Sequence, residues 1–96
     1  MNEKAITKKI LTYLTTLPAC FRWKEHGGMY GHAGLPDIVC CIAGRFVAFE
    51  VKAAGGKLTE LQEDTLCRIR DAGGVAHMVR SLDEVKSILQ NLEGIS

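Results

Sequence analysis

Two short apolar runs separated by only two residues constrain the fold of this chain more than any other feature. The first run spans 38–42 (IVCCI), the second spans 45–52 (RFVAFEVK), and Ala43-Gly44 connects them. Both runs are rich in the β-branched and aromatic residues that are frequent in strands. Two such runs with so short a connection predict an antiparallel β-hairpin.

The register of this hairpin decides which side chains meet. If the connection is a two-residue turn, Asp37 lies opposite Glu50, with Cβ atoms ~4.5–5.5 Å apart. Lys52 then points to the same face as Glu50, ~7 Å further along the strand. Ala-Gly is not the preferred composition for such a turn, however, and a bulge at Gly44 would shift the pairing by one residue. That slip would place Glu50 and Lys52 on the face opposite to Asp37.

Two opposed carboxylates repel each other unless a cation lies between them. Asp37, Glu50 and the backbone carbonyl of Val51 would supply three oxygen ligands, which suits Mg²⁺ with water and phosphate oxygens completing its shell. A lysine beside the cation can orient a water molecule or stabilise negative charge on a phosphate. This spacing is compatible with phosphodiester hydrolysis. The alternative from spacing alone is a turn at Pro36-Asp37 followed by an exposed strand.

The rest of the chain alternates helical and strand patterns. Apolar residues at helical spacing predict a first helix that ends before Pro18. Thr59-x-x-Gln62 and Ser81-x-x-Glu84 are capping-box patterns at the starts of two later helices. The remaining predicted elements are a helix over 3–17, a strand over 20–24, a helix over 58–72, a strand over 75–79 and a helix that begins at 81.

Length and composition indicate an ordinary globular protein. The 96 residues are enough for one domain, 1–96, and 47% of them are apolar and 24% charged. The longest apolar run, 38–43, is far shorter than the ~20 residues of a membrane span. The start of the chain carries Glu3 and no apolar segment typical of a signal peptide. We expect a cytoplasmic protein that has no membrane partner.

The four cysteines show no CxxC spacing, so that buried free thiols are the expected interpretation. Neighbouring strand residues point to opposite faces, which prevents Cys40 and Cys41 from binding one metal together. A zinc site that uses His26, His32 or His77 stays open, although no recognisable spacing supports it.

The net charge is +1, which by itself does not indicate a nucleic-acid partner. The charge is uneven, however. Residues 1–24 contain one acid, Glu3, and five bases: Lys4, Lys8, Lys9, Arg22 and Lys24. This basic stretch suits a polyanion, and a solvated helix face is the alternative explanation.

Three segments together resemble the VRR-NUC family of the PD-(D/E)xK nuclease superfamily. They are 34–37 (GLPD), 49–52 (FEVK) and 55–59 (GGKLT), the last followed by Gln62. The similarity extends from the first helix to about Arg80, in the same order and at similar spacing. It implies an α/β, restriction-endonuclease-like fold, with a mixed β-sheet flanked by helices. Its core is αβββαβ with an added C-terminal helix, and the site lies at the rim of the hairpin.

The resemblance also implies roles for individual residues. Asp37 and Glu50 would bind the metal ion and Lys52 would be the catalytic lysine. Gln62 matches the family's glutamine on the following helix, where it would hold the lysine or a water molecule. The alternative for Gln62 is the capping box, and both roles are compatible. Glu3 fits the position of a glutamate that faces the metal through water, or it simply stabilises the start of the first helix.

Further candidates are weaker. Glu25, next to the glycine-rich stretch 27–34, is a second acid that would join the site. Trp23 is expected to pack beneath the sheet rather than to stack on a base. Candidate DNA contacts through phosphates or bases are Lys8, Lys9, Arg22, Lys24, Lys57, Tyr30 and His32.

These observations predict an endonuclease that depends on Mg²⁺ or Mn²⁺ and hydrolyses DNA. The resemblance further implies a preference for branched DNA, as in Holliday-junction resolvases. A resolvase cuts two strands, so that we expect a homodimer or a larger homo-oligomer with two sites related by a two-fold axis. The alternatives are a nuclease of linear ends, flaps or nicked duplex, and a nuclease-fold module that binds DNA or protein without cutting.

Overall fold

The computed structural model describes residues 1–24 and 34–92. Its secondary structure follows the predicted order of helix, three strands, helix, strand and helix. The predicted ends are correct to within two residues. The elements are α1 (Glu3–Thr15), β1 (Cys20–Lys24), β2 (Ile38–Ile42), β3 (Arg45–Val51), α2 (Glu60–Asp71), β4 (Val75–Val79) and α3 (Leu82–Gln90).

The four strands form one mixed sheet in the order β1-β2-β3-β4. The first three strands are antiparallel neighbours, and β4 is parallel to β3. A parallel pair needs a long crossover, and α2 supplies it between β3 and β4. The predicted mixed sheet flanked by helices is therefore confirmed.

The connection between β2 and β3 is a two-residue turn. Ala43 has a φ of 50° and Gly44 a φ of 83°, which is the doubly left-handed pattern of a type I′ turn. The Ala43 N–H also donates a 2.9 Å hydrogen bond to the Ala19 carbonyl, which helps to hold this unfavourable conformation. Ile42 consequently pairs with Arg45 as predicted, and no bulge shifts the register.

The sheet has an apolar layer on each face. The main core lies against α1 and α3 and includes Ile10, Leu14, Phe49 and Val85, each fully buried. The opposite face carries a smaller cluster in which Leu66 of α2 packs on β3 and β4, at Ala48 and Ala76. Within the described residues, α2 packs on the β3–β4 half of that face and does not cover the β1–β2 half, which is called the open half below.

One of the two predicted capping boxes is complete. At the start of α2, the Thr59 and Gln62 side chains each accept a hydrogen bond from the other residue's N–H. At the start of α3, the Ser81 hydroxyl accepts from the Glu84 N–H, but the Glu84 carboxylate accepts from the Arg80 N–H instead of the Ser81 N–H. The second box is therefore only half formed.

The expectation of buried cysteines is correct for Cys40, whose thiol donates to the Val47 carbonyl at 3.4 Å. Cys20 is half-buried, whereas Cys41 and Cys67 are exposed, so that the prediction is wrong for these two. Cys41 is exposed because it points to the open half of the sheet. In the described parts of the chain, no three His, Cys, Asp or Glu side chains are grouped to hold a metal ion. Two of the histidines considered for zinc, His26 and His32, lie outside these parts.

The prediction that Trp23 packs beneath the sheet is wrong. Its side chain is 38% exposed on β1, and the centroid of its ring lies 5.8 Å from that of Phe21. Both rings point to the face where α2 covers β3 and β4, and α2 does not extend over β1. Within the described residues, no helix is long and apolar enough to span a membrane.

Candidate active site

The candidate site forms where the hairpin opens, at the start of β2 and the end of β3. Asp37 directly precedes β2, and its Oδ2 accepts a 2.9 Å hydrogen bond from the Val51 N–H. Ile38 pairs with Phe49, so that Asp37 and Glu50 are the next residues outward on the two strands. Residues opposed in this way share a face of the sheet. The backbone therefore brings these two acids together; they are called the carboxylate pair below.

Glu50 is only 3% exposed. Its Oε2 lies 3.6 Å from the Lys52 Nζ and accepts a 3.3 Å hydrogen bond from the Gln62 Nε2. Its Oε1 is buried and has no hydrogen-bond donor within the described residues. A buried carboxylate oxygen without a donor is costly, which makes Glu50 the least satisfied polar group of the site.

The environment of Glu50 raises its pKa from 4.5 to about 8. Burial is the largest cause, because it disfavours the charged form. A hydrogen bond with Asp37 and the negative charge of Asp37 raise the pKa further, and Lys52 opposes them. The structure therefore favours a proton on Glu50 at neutral pH whenever no other cation neutralises the carboxylate pair.

Gln62 forms the predicted capping box and also contacts the candidate site. Its Oε1 accepts a 3.0 Å hydrogen bond from the Thr59 N–H and completes the capping box. Its Nε2 donates to Glu50. One amide group can make both contacts because its oxygen accepts and its nitrogen donates, in different directions within the amide plane. Its partner in the site is thus the buried carboxylate, and the role implied by the resemblance, holding Lys52 or a water molecule, stays a prediction.

Lys52 follows β3 and is held by β4 and the segment after it. Its N–H donates a 3.0 Å hydrogen bond to the Val79 carbonyl. Arg80 then donates from Nη1 to the Ala53 carbonyl at 2.6 Å and from Nη2 to the Gly56 carbonyl at 2.8 Å. No sequence pattern predicted a role for Arg80. The sequence feature that could have indicated this role is weak, since it is only an arginine at the end of an apolar strand, next to the serine that caps α3.

Glu3 contacts the turn beside the carboxylate pair, and its contact with the metal through water stays a prediction. Its exposed side chain accepts a hydrogen bond of 3.4 Å from the Ala53 N–H, on the turn that follows Lys52. A Cβ at Gly56 would lie 3.2 Å from the Ala53 carbonyl and 3.6 Å from the Glu3 Oε2, so that this turn packs closely under the first helix. Glu3 therefore supports the turn beside the site. Glu25 lies outside the described residues.

The candidate DNA contacts are divided among three places. Lys8, Arg22 and Lys24 line one groove between α1 and β1, together with Lys4. Lys9 lines a different hollow with Arg80, and Lys57 is exposed just before α2. The structure thus groups three of the five predicted basic residues. Tyr30 and His32 lie outside the described residues.

The carboxylate pair fits a hard divalent cation. Two acidic side chains meet, and one of their oxygens is buried without a donor. The N–H and C=O of a strand residue point to the same side, so that the Val51 carbonyl is directed toward β2, as its N–H is toward Asp37. Carboxylate and carbonyl oxygens are the ligands that Mg²⁺ and Mn²⁺ prefer.

Comparison with known proteins gives matches among solved structures. No protein-family model matches the chain, and no curated protein does. A solved structure described as a VRR_NUC domain protein has a TM-score of 0.77 and 20% sequence identity, covering 94% of this chain and 86% of its own. Another, described as a VRR_NUC domain, has a TM-score of 0.77 and 22% identity, covering 93% and 95%. The chain therefore has the fold of these VRR_NUC domain structures.

Proposed function

We propose that this protein is a DNA endonuclease that depends on Mg²⁺ or Mn²⁺, with Asp37, Glu50 and the Val51 carbonyl as metal ligands. The observation that carries the proposal is the buried Glu50 carboxylate. One of its oxygens lacks a donor, Asp37 lies beside it, and Lys52 and Gln62 contact the other oxygen. A purely structural acid at this position would have its oxygens satisfied by protein donors.

Each residue has a distinct role in hydrolysis, in which water forms a bond to phosphorus and the bond to one sugar oxygen breaks. The divalent ion neutralises charge on the attacked phosphate and makes a water molecule more acidic. Asp37 and Glu50 provide the negative charge that binds the cation. Lys52, 3.6 Å from Glu50, donates hydrogen bonds to a phosphate oxygen whose charge grows in the transition state. Gln62 holds Glu50 in position.

The proposed substrate is branched DNA, and the proposed working unit is a homodimer. The described residues of one chain offer one carboxylate pair, whereas resolving a junction requires a cut in each of two strands. A two-fold axis would supply two sites in the orientation that two opposed strands need. Mass measurement in solution, alone and with DNA, tests this part separately from catalysis.

The central experiment compares Asp37→Asn and Lys52→Ala with wild type on a four-way junction in Mg²⁺ or Mn²⁺. Asparagine at 37 keeps an acceptor for the Val51 N–H and loses the charge, so that the backbone geometry is retained. We expect both variants to lose ~100-fold or more in cleavage rate. Glu63→Gln, which removes an exposed acid on α2, is the matched control and should cut normally.

Cleavage at the wild-type rate by both variants would refute the assignment of the site. Calorimetry with Mn²⁺ distinguishes the binding module from the nuclease, because a module without catalysis would take up no ion even when DNA is present. Matched flap, nicked and linear duplex substrates test the preference for branches. Equal rates on all of them would refute that preference and leave the nuclease assignment intact.

A further inference from the structure

The edge strand β1 presents different chemistry on its two sides. Phe21 and Trp23 (the aromatic pair) point to the open half of the α2 face and are 69% and 38% exposed. Arg22 and Lys24 alternate with them and point to the side on which α1 packs. A single exposed edge of the sheet therefore carries aromatic rings on one side and cations on the other.

The cationic side is a defined groove between α1 and β1. Lys4 and Lys8 lie one helical turn apart on α1 and line the groove with Arg22 and Lys24 of β1; these four residues are the basic groove. Its volume is about 540 Å³. The Arg22 guanidinium is held against α1 by hydrogen bonds of 2.9 and 3.3 Å to the Thr15 hydroxyl, which fixes its position in the wall.

The aromatic side shares a face with the candidate site. Trp23 pairs with Val39, and Val39 pairs with Ala48, which is two residues before Glu50 on the same face. With strands ~4.8 Å apart and ~3.4 Å per residue along a strand, Trp23 lies ~12 Å from Glu50 at the backbone. Lys24 pairs with Ile38, the residue after Asp37, so that the basic groove ends at the same edge of the sheet.

We propose that the β1 edge binds an unpaired stretch of a DNA strand next to the cleavage site. The basic groove holds its phosphates, and the aromatic pair stacks on its bases. Aromatic stacking combined with a positive groove is how proteins bind single-stranded nucleic acid. In duplex DNA the faces of the bases are covered by their neighbours, so that exposed rings gain contacts only where bases are unpaired, as at a branch or flap. This inference rests on the proposed function in one respect, that the ligand is DNA.

A second copy of the chain is the competing occupant of this edge. Two-fold pairing of β1 with β1 of another copy would be antiparallel and would bring cationic residues of the two strands opposite one another. Like charges in such positions destabilise a sheet. The charge of Arg22 and Lys24 therefore favours a polyanion over a second β1.

Trp23 is the only tryptophan of the chain, which gives a direct test. The wild-type protein, kept in EDTA so that no cleavage occurs, is titrated with a short oligothymidylate, the same strand without bases, and a duplex of equal length. We expect quenching of Trp23 fluorescence by the oligothymidylate and little quenching by the strand without bases. The affinity should be higher for the single strand than for the duplex.

Variants separate stacking from charge. Trp23→Ala should weaken binding of a labelled oligothymidylate about tenfold, and Trp23→Phe should retain most of the affinity because a ring remains. Lys24→Gln should lower the slope of log affinity against log salt by ~0.7, the value for one phosphate contact on a single strand. Arg45→Gln, at the other end of the sheet, is the matched control and should not change it.

Saturating binding without a change in Trp23 fluorescence would overturn the proposal, as would equal affinity for the strand without bases. A fall in oligomeric mass in Trp23→Ala, with DNA affinity unchanged, would assign the edge to contact between copies and also overturn it. These binding results do not depend on cleavage. Loss of cleavage in Asp37→Asn with normal quenching would support both proposals, and quenching in a wild type that cannot cut would refute only the nuclease assignment.

Discussion

Replacing Glu50 by glutamine tests the physical basis of the candidate site, because it keeps the shape of the side chain and removes its charge. In the folded protein the pKa of Glu50 is raised from 4.5 to about 8, chiefly by burial and then by Asp37. The folded protein therefore keeps a proton that the unfolded chain has lost. The stabilisation from this difference is complete below pH ~4.5 and is lost as the pH rises through about 8.

The magnitude follows from one proton. A difference of one bound proton changes the free energy of unfolding by ~1.4 kcal/mol per pH unit. Over most of the range from pH 6 to pH 8, Glu50 is protonated in the folded protein and ionised in the unfolded chain. The free energy of unfolding of wild type without metal should therefore fall by ~2 kcal/mol over this range because of Glu50. Glu50→Gln should lack this fall. His77, whose pKa burial and Arg70 lower, titrates in both proteins and cancels in the comparison.

The assay is urea unfolding followed by circular dichroism at pH 6, 7 and 8 in EDTA, with Glu63→Gln as the charge-matched control. That control should decline with pH as wild type does, because Glu63 is exposed. Adding Mg²⁺ should stabilise wild type most at pH 8 and should leave Glu50→Gln unchanged, since the ion binds the ionised carboxylate. Parallel pH dependence of wild type and Glu50→Gln in EDTA would refute the argument from burial.

Three further perturbations test the surroundings of the site. Arg80→Lys should lower kcat by up to ~100-fold and leave the Mn²⁺ affinity unchanged, because one ammonium cannot bridge the Ala53 and Gly56 carbonyls. An unchanged kcat would show that Arg80 does not position the site. Gln62→Ala should lower the free energy of unfolding by ~1 kcal/mol by loss of the cap, and should also weaken Mn²⁺ binding in calorimetry; a change in stability alone would limit Gln62 to capping. Ala43→Gly should raise the free energy of unfolding by ~1 kcal/mol, seen as a higher urea midpoint, because the φ of Ala43 is 50° and glycine adopts this angle without strain. A lowered midpoint would contradict the type I′ turn.

Local sequence patterns were sufficient to predict the hairpin and the position of the carboxylate pair. The side-chain period of a strand is two, so that one turn length fixes which residues of two strands share a face. A two-residue turn at Ala43-Gly44 accordingly brings Asp37 beside Glu50, with Lys52 on the same side. The uncertain step was the turn, because alanine rarely adopts a left-handed φ and only the structure shows that it does so here.

Packing between distant segments decided the remaining features. Glu3 reaches the Ala53 N–H, fifty residues further along the chain, because of where α1 packs. Arg80 reaches two carbonyls that precede it by more than twenty residues, which no local pattern signals. Trp23 is 38% exposed on β1, since α2 packs on β3 and β4 and does not reach β1.

The sequence by itself thus determined the order of elements and limited the hairpin to two registers, one of which pairs Asp37 with Glu50, because these features follow from spacing along the chain. The conformation of Ala43 in the folded protein decided between the two registers. The tertiary structure alone decided how deeply Glu50 is buried and that Gln62 satisfies one of its oxygens and not the other. Burial and unsatisfied oxygens depend on where α2 and the sheet meet. Those long-range contacts turn two neighbouring acids into a candidate metal site.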